Sequence, residues 1–284
     1  MIAYGKLGKF MIKIKTLVEN SAISKEYKSK HGLSLYIETA KHKILFDLGQ
    51  DGLFVENAKK MGVDIADIDT VIISHGHKDH GGGLKHLLSL NDKAKIYVRK
   101  DAFDKHFIKV LGLKIGVGLD EKLKANNRII FTDETTVIDD ELMLFSNVEM
   151  GEYRSDSNGK LYAKTGNEIA LDNFSHEQNL IIKDEDRVVL VSGCSHAGIE
   201  NILKRAEQLV DGQVDAVVGG FHLYNPPTRK YEEDERIEKV ANALGEFSCH
   251  YYTCHCTGIK AFDKMKTRLG SRLDYLHTGS EIDL

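Results

Sequence analysis

The sequence predicts an α/β sandwich in which sheets are covered by helices. Apolar-alternating runs pair as hairpins near the start of the chain and again in its second half. Short β-branched apolar runs, each followed by a stretch of helical spacing, recur in both halves. Hairpins followed by strand–helix units bury their apolar sides only if helices lie on the outer faces of sheets.

The elements follow in order. "MIAYGKLGKFMIKIKTLVEN" (1–20) alternates lysine with apolar residues and reads as a first strand. It lacks the continuous apolar core and small-residue cleavage site of a signal peptide, so the expected location is the cytoplasm. "GLSLYIETAKHKILFDLG" (32–49) splits into two alternating runs around "AKHK", a hairpin. "LFVENAKKMGV" (53–63) has helical spacing, "DTVIISH" (69–75) is a buried strand, "GGLKHLLSL" (82–90) is helical and "AKIYVRK" (94–100) is a strand. In the second half, "NLIIKDEDRVVLVSG" (179–193) is a hairpin turning at "KDED", and 197–210 is an amphipathic helix. Strands at 214–223 and 249–255 alternate with helices at 236–247 and 258–269. Adjacent Pro226 and Pro227 mark a loop. Residues 101–172 are less regular, combining an apolar stretch (107–119) with a polar one (150–168). They are expected to form an insertion near the site, within a single domain spanning 1–284.

Composition narrows the function. The chain has 284 residues, enough to bury a sizeable core without staples. At 42% hydrophobic and 29% charged, it has a globular and not a disordered composition. A formal charge of −4 with no basic block argues against a nucleic-acid binder, and no apolar run reaches membrane-span length. A small-molecule substrate is the expected partner, with self-association left open.

The chemistry concentrates in "VIISHGHKDHGGG" (71–83). His75, His77, Asp79 and His80 follow an apolar run and precede three glycines. In a loop leaving a strand, alternate residues can face one point and the next pair a second point a few ångströms away. Imidazole nitrogen and carboxylate oxygen suit zinc, with manganese, iron or magnesium as alternatives. Gly76 is expected to relieve crowding between two ligands, and Gly81–Gly83 to let the backbone turn into a helix.

"SHGHKDHGG" resembles the HxHxDH signature of the metallo-β-lactamase superfamily. "GLSLYIET", "ILFDLG", "SGCSHAGIENIL", "GGFHL" and "CHCTG" together resemble the subgroup related to 7,8-dihydropterin-6-methyl-4-(β-D-ribofuranosyl)-aminobenzene-5′-phosphate synthase, a step of methanopterin biosynthesis. The likeness spans residues 10–275 or so and implies a four-layer αββα sandwich holding two divalent metal ions. It implies that Asp47, in "ILFDLG", orients the metal loop, and that Asp79 serves the chemistry as well as a metal. His196 would complete the His75/His77 site, and His255 the Asp79/His80 site. Members of the superfamily usually place a bridging aspartate in a "GD" dipeptide, whereas here the strand "RVVLVSG" runs into Cys194. Either Cys194 supplies a thiolate or water alone joins the metals. His222, in "GGFHL", is a further catalytic candidate facing substrate or metal.

The resemblance implies transfer between an activated pterin and an aryl ribofuranosyl phosphate. Hydrolysis of a phosphoester or lactone is the generic superfamily alternative. A redox reading rests on Cys249, Cys254 and Cys256, but their spacing matches neither ferredoxin run, and His255 falls inside the same motif. If the last strand continues to its end, His255 shares a face with Thr253 and Tyr251, while Cys254 and Cys256 point the other way.

Overall fold

The computed structural model describes residues 12–110, 113–151, 155–184, 187–226 and 228–284. The reading of 1–11 as part of the first strand, and Pro227, lie outside these residues. The described part of that strand runs Lys13–Val18.

Two seven-stranded sheets face each other. The first is ordered Glu281–Asp283, Lys13–Val18, Ser34–Glu38, Lys43–Phe46, Thr70–Ile72, Lys95–Arg99 and Ile129–Thr132. The second is ordered Leu273–Tyr275, His250–Thr253, Ala216–Gly219, Arg187–Val191, Gln178–Asp184, Leu142–Ser146 and Thr135–Val137. Both expected hairpins are present, with Glu38 opposite Lys43 and Asp184 opposite Arg187.

Alternation along the strands sorts side chains into layers. Leu35, Ile37, Ile44 and Phe46 meet Leu180, Ile182, Val189 and Val191 between the sheets. Tyr36 and Leu45 point outward, under Phe54 and Ala58 of helix Leu53–Lys60 and Leu84 and Leu87 of helix Leu84–Leu90. On the far side Ile181 and Leu190 sit under the helices Ile199–Val210, Asp234–Gly245 and Ile259–Leu269. The layers run αββα, the architecture expected. Among the described residues no helix is long and apolar enough to cross a membrane.

Residues 101–172 are more regular than their sequence implies. Ile129–Thr132 joins the first sheet, while Thr135–Val137 and Leu142–Ser146 join the second. The rest contributes a four-stranded sheet ordered Glu168–Leu171, Leu161–Thr165, Lys105–Val110 and Leu113–Gly116. Its outer strands are short and exposed, so their apolar periodicity is weak.

Parallel pairing sets one edge of the molecule apart. Lys43–Phe46 runs parallel to Thr70–Ile72, and Ala216–Gly219 runs parallel to both Arg187–Val191 and His250–Thr253. The carboxyl ends of these five strands lead directly into Asp47, His75, Cys194, His222 and His255. Ligand sites favour such edges in sheets with parallel strands.

The opposite edge is tied by His42, whose Nδ1 donates to Asp69 (3.0 Å) and Nε2 to Asp139 (2.6 Å), linking the two sheets. Burial lowers its pKa, but hydrogen bonds to Asp139 and Asp69 outweigh burial and raise it above 6.5. Its contribution to stability is whole below the unfolded value and disappears as pH rises through the elevated folded value. His42→Ala should therefore destabilise the fold more at mildly acidic than at mildly alkaline pH, by about 1 kcal/mol or less given solvent screening. Melting curves of both proteins across that range check this; a difference that stays constant or grows with pH contradicts it.

Candidate metal centre

Asp47 follows its strand at φ 60°, a conformation costly for any residue but glycine, and is fully buried. Its Oδ1 accepts the Ser74 backbone N–H (2.7 Å). Its Oδ2 accepts the Ser74 hydroxyl (2.7 Å) and His80 Nδ1–H (2.6 Å). With the Ser74 proton given to Asp47, Ser74 Oγ accepts from His75 Nδ1–H (2.9 Å). One carboxylate thus directs the Nδ1 protons of two histidines and turns both Nε2 atoms toward the centre; burial opposes charge on His80, but Asp47 and Asp79 raise its pKa above the ordinary value.

His75 Nε2 lies 3.0 Å from His77 Nδ1. One nitrogen each from His75, His77 and His196 falls within 4.8 Å of the others. His196 Nδ1 donates to Asn158 Oδ1 (2.9 Å), so its Nε2 is also a lone pair, buried and without a partner. Burial holds all three imidazoles well below their ordinary pKa and therefore neutral, as cation binding requires.

The second group adjoins the first. Asp79 and His80 lie on the short helix Lys78–Gly81. His80 Nε2 sits 3.1 Å from His255 Nε2 and 3.1 Å from Cys194 Sγ, and Asp79 Oδ2 is 3.4 Å from His255 Nε2. His255 Nδ1 donates to Asn20 Oδ1 (3.1 Å), which turns its Nε2 toward His80 and Asp79. Two imidazole lone pairs 3.1 Å apart repel unless a proton or a cation lies between them. Burial opposes the charge of Asp79, yet His80, His255 and His31 hold its carboxyl well below the usual range. Burial keeps the Cys194 thiol well above its ordinary value.

His222, at φ 50°, packs its ring 4.1 Å from that of His196, and both its ring nitrogens are buried without partners. His31 donates from Nε2 to Asp79 Oδ2 (3.1 Å) and stacks on His255. A pocket of about 100 Å3 opens over His31, Asp79, Cys194 and His222. Its opposite wall is Ile108, Val117, Leu161 and Tyr224.

Three expectations need correction. The strand His250–Thr253 stops before His255, and His255–Thr257 forms a 3-10 turn with His255 at φ 52°. Strand alternation stops there, so Cys256 lines the pocket instead of facing away, whereas Cys254 enters the core between the sheets. Cys249 sits in the outer helix layer, so the three cysteines of the redox reading occupy three environments. Gly76 does not separate two ligands. A Cβ there would meet Ala102 O at 2.5 Å and His106 Nε2 at 2.7 Å. Gly82 and Gly83 have ordinary negative φ, and their need is close packing: a Cβ would lie 2.4 Å from Gln50 O and Leu48 O respectively.

A buried network behind the loop escapes sequence reasoning. His176 Nδ1 accepts the Gly76 N–H (2.9 Å), so its Nε2 carries a proton and donates to Asp172 (3.1 Å). Asp172 also accepts from His106 Nδ1 (3.0 Å). His77, His106, Asp172 and His176 are close enough to resemble a further metal site, but His176 has no lone pair left to offer. The polar run "HEQN" (176–179) immediately before an apolar strand was the available signal. His31, Asn20, Asn158 and Cys256 gave none that distinguishes them from surface or turn residues.

Comparisons with known proteins point to one family. The sequence profile of the Metallo-beta-lactamase superfamily matches residues 30–142. The chain is 30% identical over 285 residues to MJ0448, an uncharacterized protein of Methanocaldococcus jannaschii, covering 95% of this chain and 100% of that one. It is also 30% identical over 290 residues to the same organism's 7,8-dihydropterin-6-methyl-4-(beta-D-ribofuranosyl)-aminobenzene-5'-phosphate synthase, covering 95% and 96%. The crystal structure of Tm1679, a metal-dependent hydrolase of the beta-lactamase superfamily, superposes with a TM-score of 0.81 at 30% identity, covering 96% of this chain and 99% of that one. The chain belongs to the metallo-β-lactamase superfamily.

Asp47→Ala should leave the sandwich folded and weaken cation binding or activity by ~10–100-fold, because two rings lose their tautomer together. Metal titration of the variant beside the wild type measures this. Unaltered affinity would reduce Asp47 to a turn residue.

Proposed function

We propose that the chain is a metal-dependent enzyme with two adjacent cation positions. His75, His77 and His196 hold one cation, Asp79, His80 and His255 the other, and Cys194 is a sulfur donor within reach of the second. The carrying observation is that His75 Nε2 meets His77 Nδ1 at 3.0 Å and His80 Nε2 meets His255 Nε2 at 3.1 Å, while the second ring nitrogens of His75, His80 and His255 are committed elsewhere and His77 Nε2 is buried without a partner. Neutral imidazole, carboxylate and thiol donors together favour zinc over magnesium. Two such cations supply Lewis acidity and a nucleophile at neutral pH.

The protein's own groups divide the remaining work. The wall of Ile108, Val117, Leu161 and Tyr224 excludes water and suits a flat, largely apolar ring system. His222, with both nitrogens uncommitted, is placed to take or give a proton at a substrate oxygen. His31 orients Asp79 through its 3.1 Å contact. The sheet formed by 105–116 and 161–171 supplies part of that wall, which supports reading this segment as the cover of the site. An apolar ring carried beside a phosphorylated group matches this division. We therefore favour a pterin or aryl ribofuranosyl phosphate transferase, supported by the similarity to the synthase along nearly the whole of both chains. Hydrolysis of a phosphoester or lactone is the second reading, supported by the similarity to Tm1679.

Purified protein should hold about two divalent cations per chain. Elemental analysis that finds one tightly held metal and no second site on titration would reject the paired arrangement. Metal-loaded protein screened against phosphodiesters, lactones and an activated pterin with an aryl ribofuranosyl phosphate should turn over the last pair. Activity confined to water-accepting substrates would favour the hydrolase. His222→Ala should lower turnover at unchanged metal content; an equal loss of metal would make His222 a ligand instead.

A further inference from the structure

His196 and His255 belong to different cation sets and to different turns, yet each is held at the same three points. The His196 backbone N–H donates to Glu177 Oε1 (2.7 Å), and its carbonyl accepts from Asn158 Nδ2 (2.8 Å). Its ring Nδ1 donates to Asn158 Oδ1 (2.9 Å). The His255 backbone N–H donates to Glu19 Oε1 (2.8 Å), and its carbonyl accepts from Asn20 Nδ2 (2.9 Å). Its ring Nδ1 donates to Asn20 Oδ1 (3.1 Å). One glutamate takes the N–H; one asparagine takes the carbonyl and the ring.

The duplication is not inherited from one local motif. Glu19 and Asn20 are neighbours just after the strand Lys13–Val18. Asn158 lies in the 3-10 turn Asp156–Lys160, and Glu177 near the end of the loop before its strand. Both glutamates are buried, as is Asn158. The carboxylates do further work on the same loops: Glu177 takes the Ala197 N–H (3.0 Å), and Glu19 takes the Tyr275 hydroxyl (2.9 Å).

We infer that Glu177 with Asn158, and Glu19 with Asn20, are two equivalent cradles, each of which positions one histidine for one cation. The inference rests on the two-cation reading above. An asparagine is suited to this task because its amide is a donor and an acceptor at fixed separation. Flipping the amide would set its NH2 against Nδ1–H and its oxygen against a carbonyl, so ring tautomer, ring rotation and backbone orientation are locked as one unit. Aspartate at the same position would still accept the ring N–H but would leave the backbone carbonyl unpaired, a half-cradle. Glutamine for glutamate would keep an acceptor for the histidine N–H.

The test is titration of metal-free protein with zinc or cobalt(II), read by calorimetry and by the cobalt visible spectrum. The wild type should show two binding events. His77→Ala and His255→Ala mark which event belongs to which position. Asn158→Ala should weaken the event that His77→Ala removes, and Asn20→Ala the event that His255→Ala removes, each by ~10–100-fold and each sparing the other. Asn158→Asp and Asn20→Asp should fall between, and they carry the test if circular dichroism shows the alanine variants unfolded. A merely structural role predicts lower melting temperatures with both events unchanged, or with both weakened alike; either result overturns the inference. Fewer than two events in the wild type would sink the two-cation reading and the cradles with it. Two intact events in both asparagine variants would sink the cradles alone.

Discussion

The arrangement of the site depends on one buried carboxylate. Asp47 accepts three hydrogen bonds between 2.6 and 2.7 Å, two from Ser74 and one from His80. Through Ser74 it reaches His75, so one ring of each cation group takes its orientation from the same residue. A carboxylate removed from water is tolerated only when its oxygens are filled in this way. Asp47 sits at the end of a strand in the first sheet, next to the strand that leads into His75. The pairing of those two strands therefore fixes the distance across which the carboxylate must reach. Sheet register and side-chain chemistry are coupled at this one point.

The histidines show how burial can serve chemistry. Desolvation opposes protonation, and three neutral rings can then crowd together without charge repulsion. His75 is partnered by a hydroxyl and His196 by a neutral amide, so both protons are directed without adding charge at the rings themselves. The polar centre stays compatible with an αββα core because the residues beneath it are apolar and buried: Ile72, Val191 and Val218 are all at zero exposure.

Much of this was legible in the chain because it is local. The HxHxDH run, the aspartate after "ILF" and the histidines after strand-like runs all sit at strand ends that alternation reveals. What was not legible arises through space. Asn20 and Asn158 act on residues far away in sequence, and no nearby pattern distinguishes them from turn asparagines. His31 meets Asp79 only because Gly32 lets the chain pass close: a Cβ there would lie 2.6 Å from the Asp79 carbonyl oxygen. Cys256 was assigned to the wrong side because the strand stops two residues before His255, where a 3-10 turn replaces the two-residue period. The segment 101–172 hid its strands for a related reason. Most of them are half-exposed, and half-exposed strands carry a diluted apolar signal; Leu142–Ser146, packed on both faces, is the exception.

Eight non-glycine residues among those described have positive φ, and three of them are Asp47, His222 and His255. Such conformations cost about 1–3 kcal/mol each. Glycine at any of the three would relieve that strain and delete a side chain of the site in the same step. Selection for a hardier fold and selection for a working centre thus pull in opposite directions at these positions.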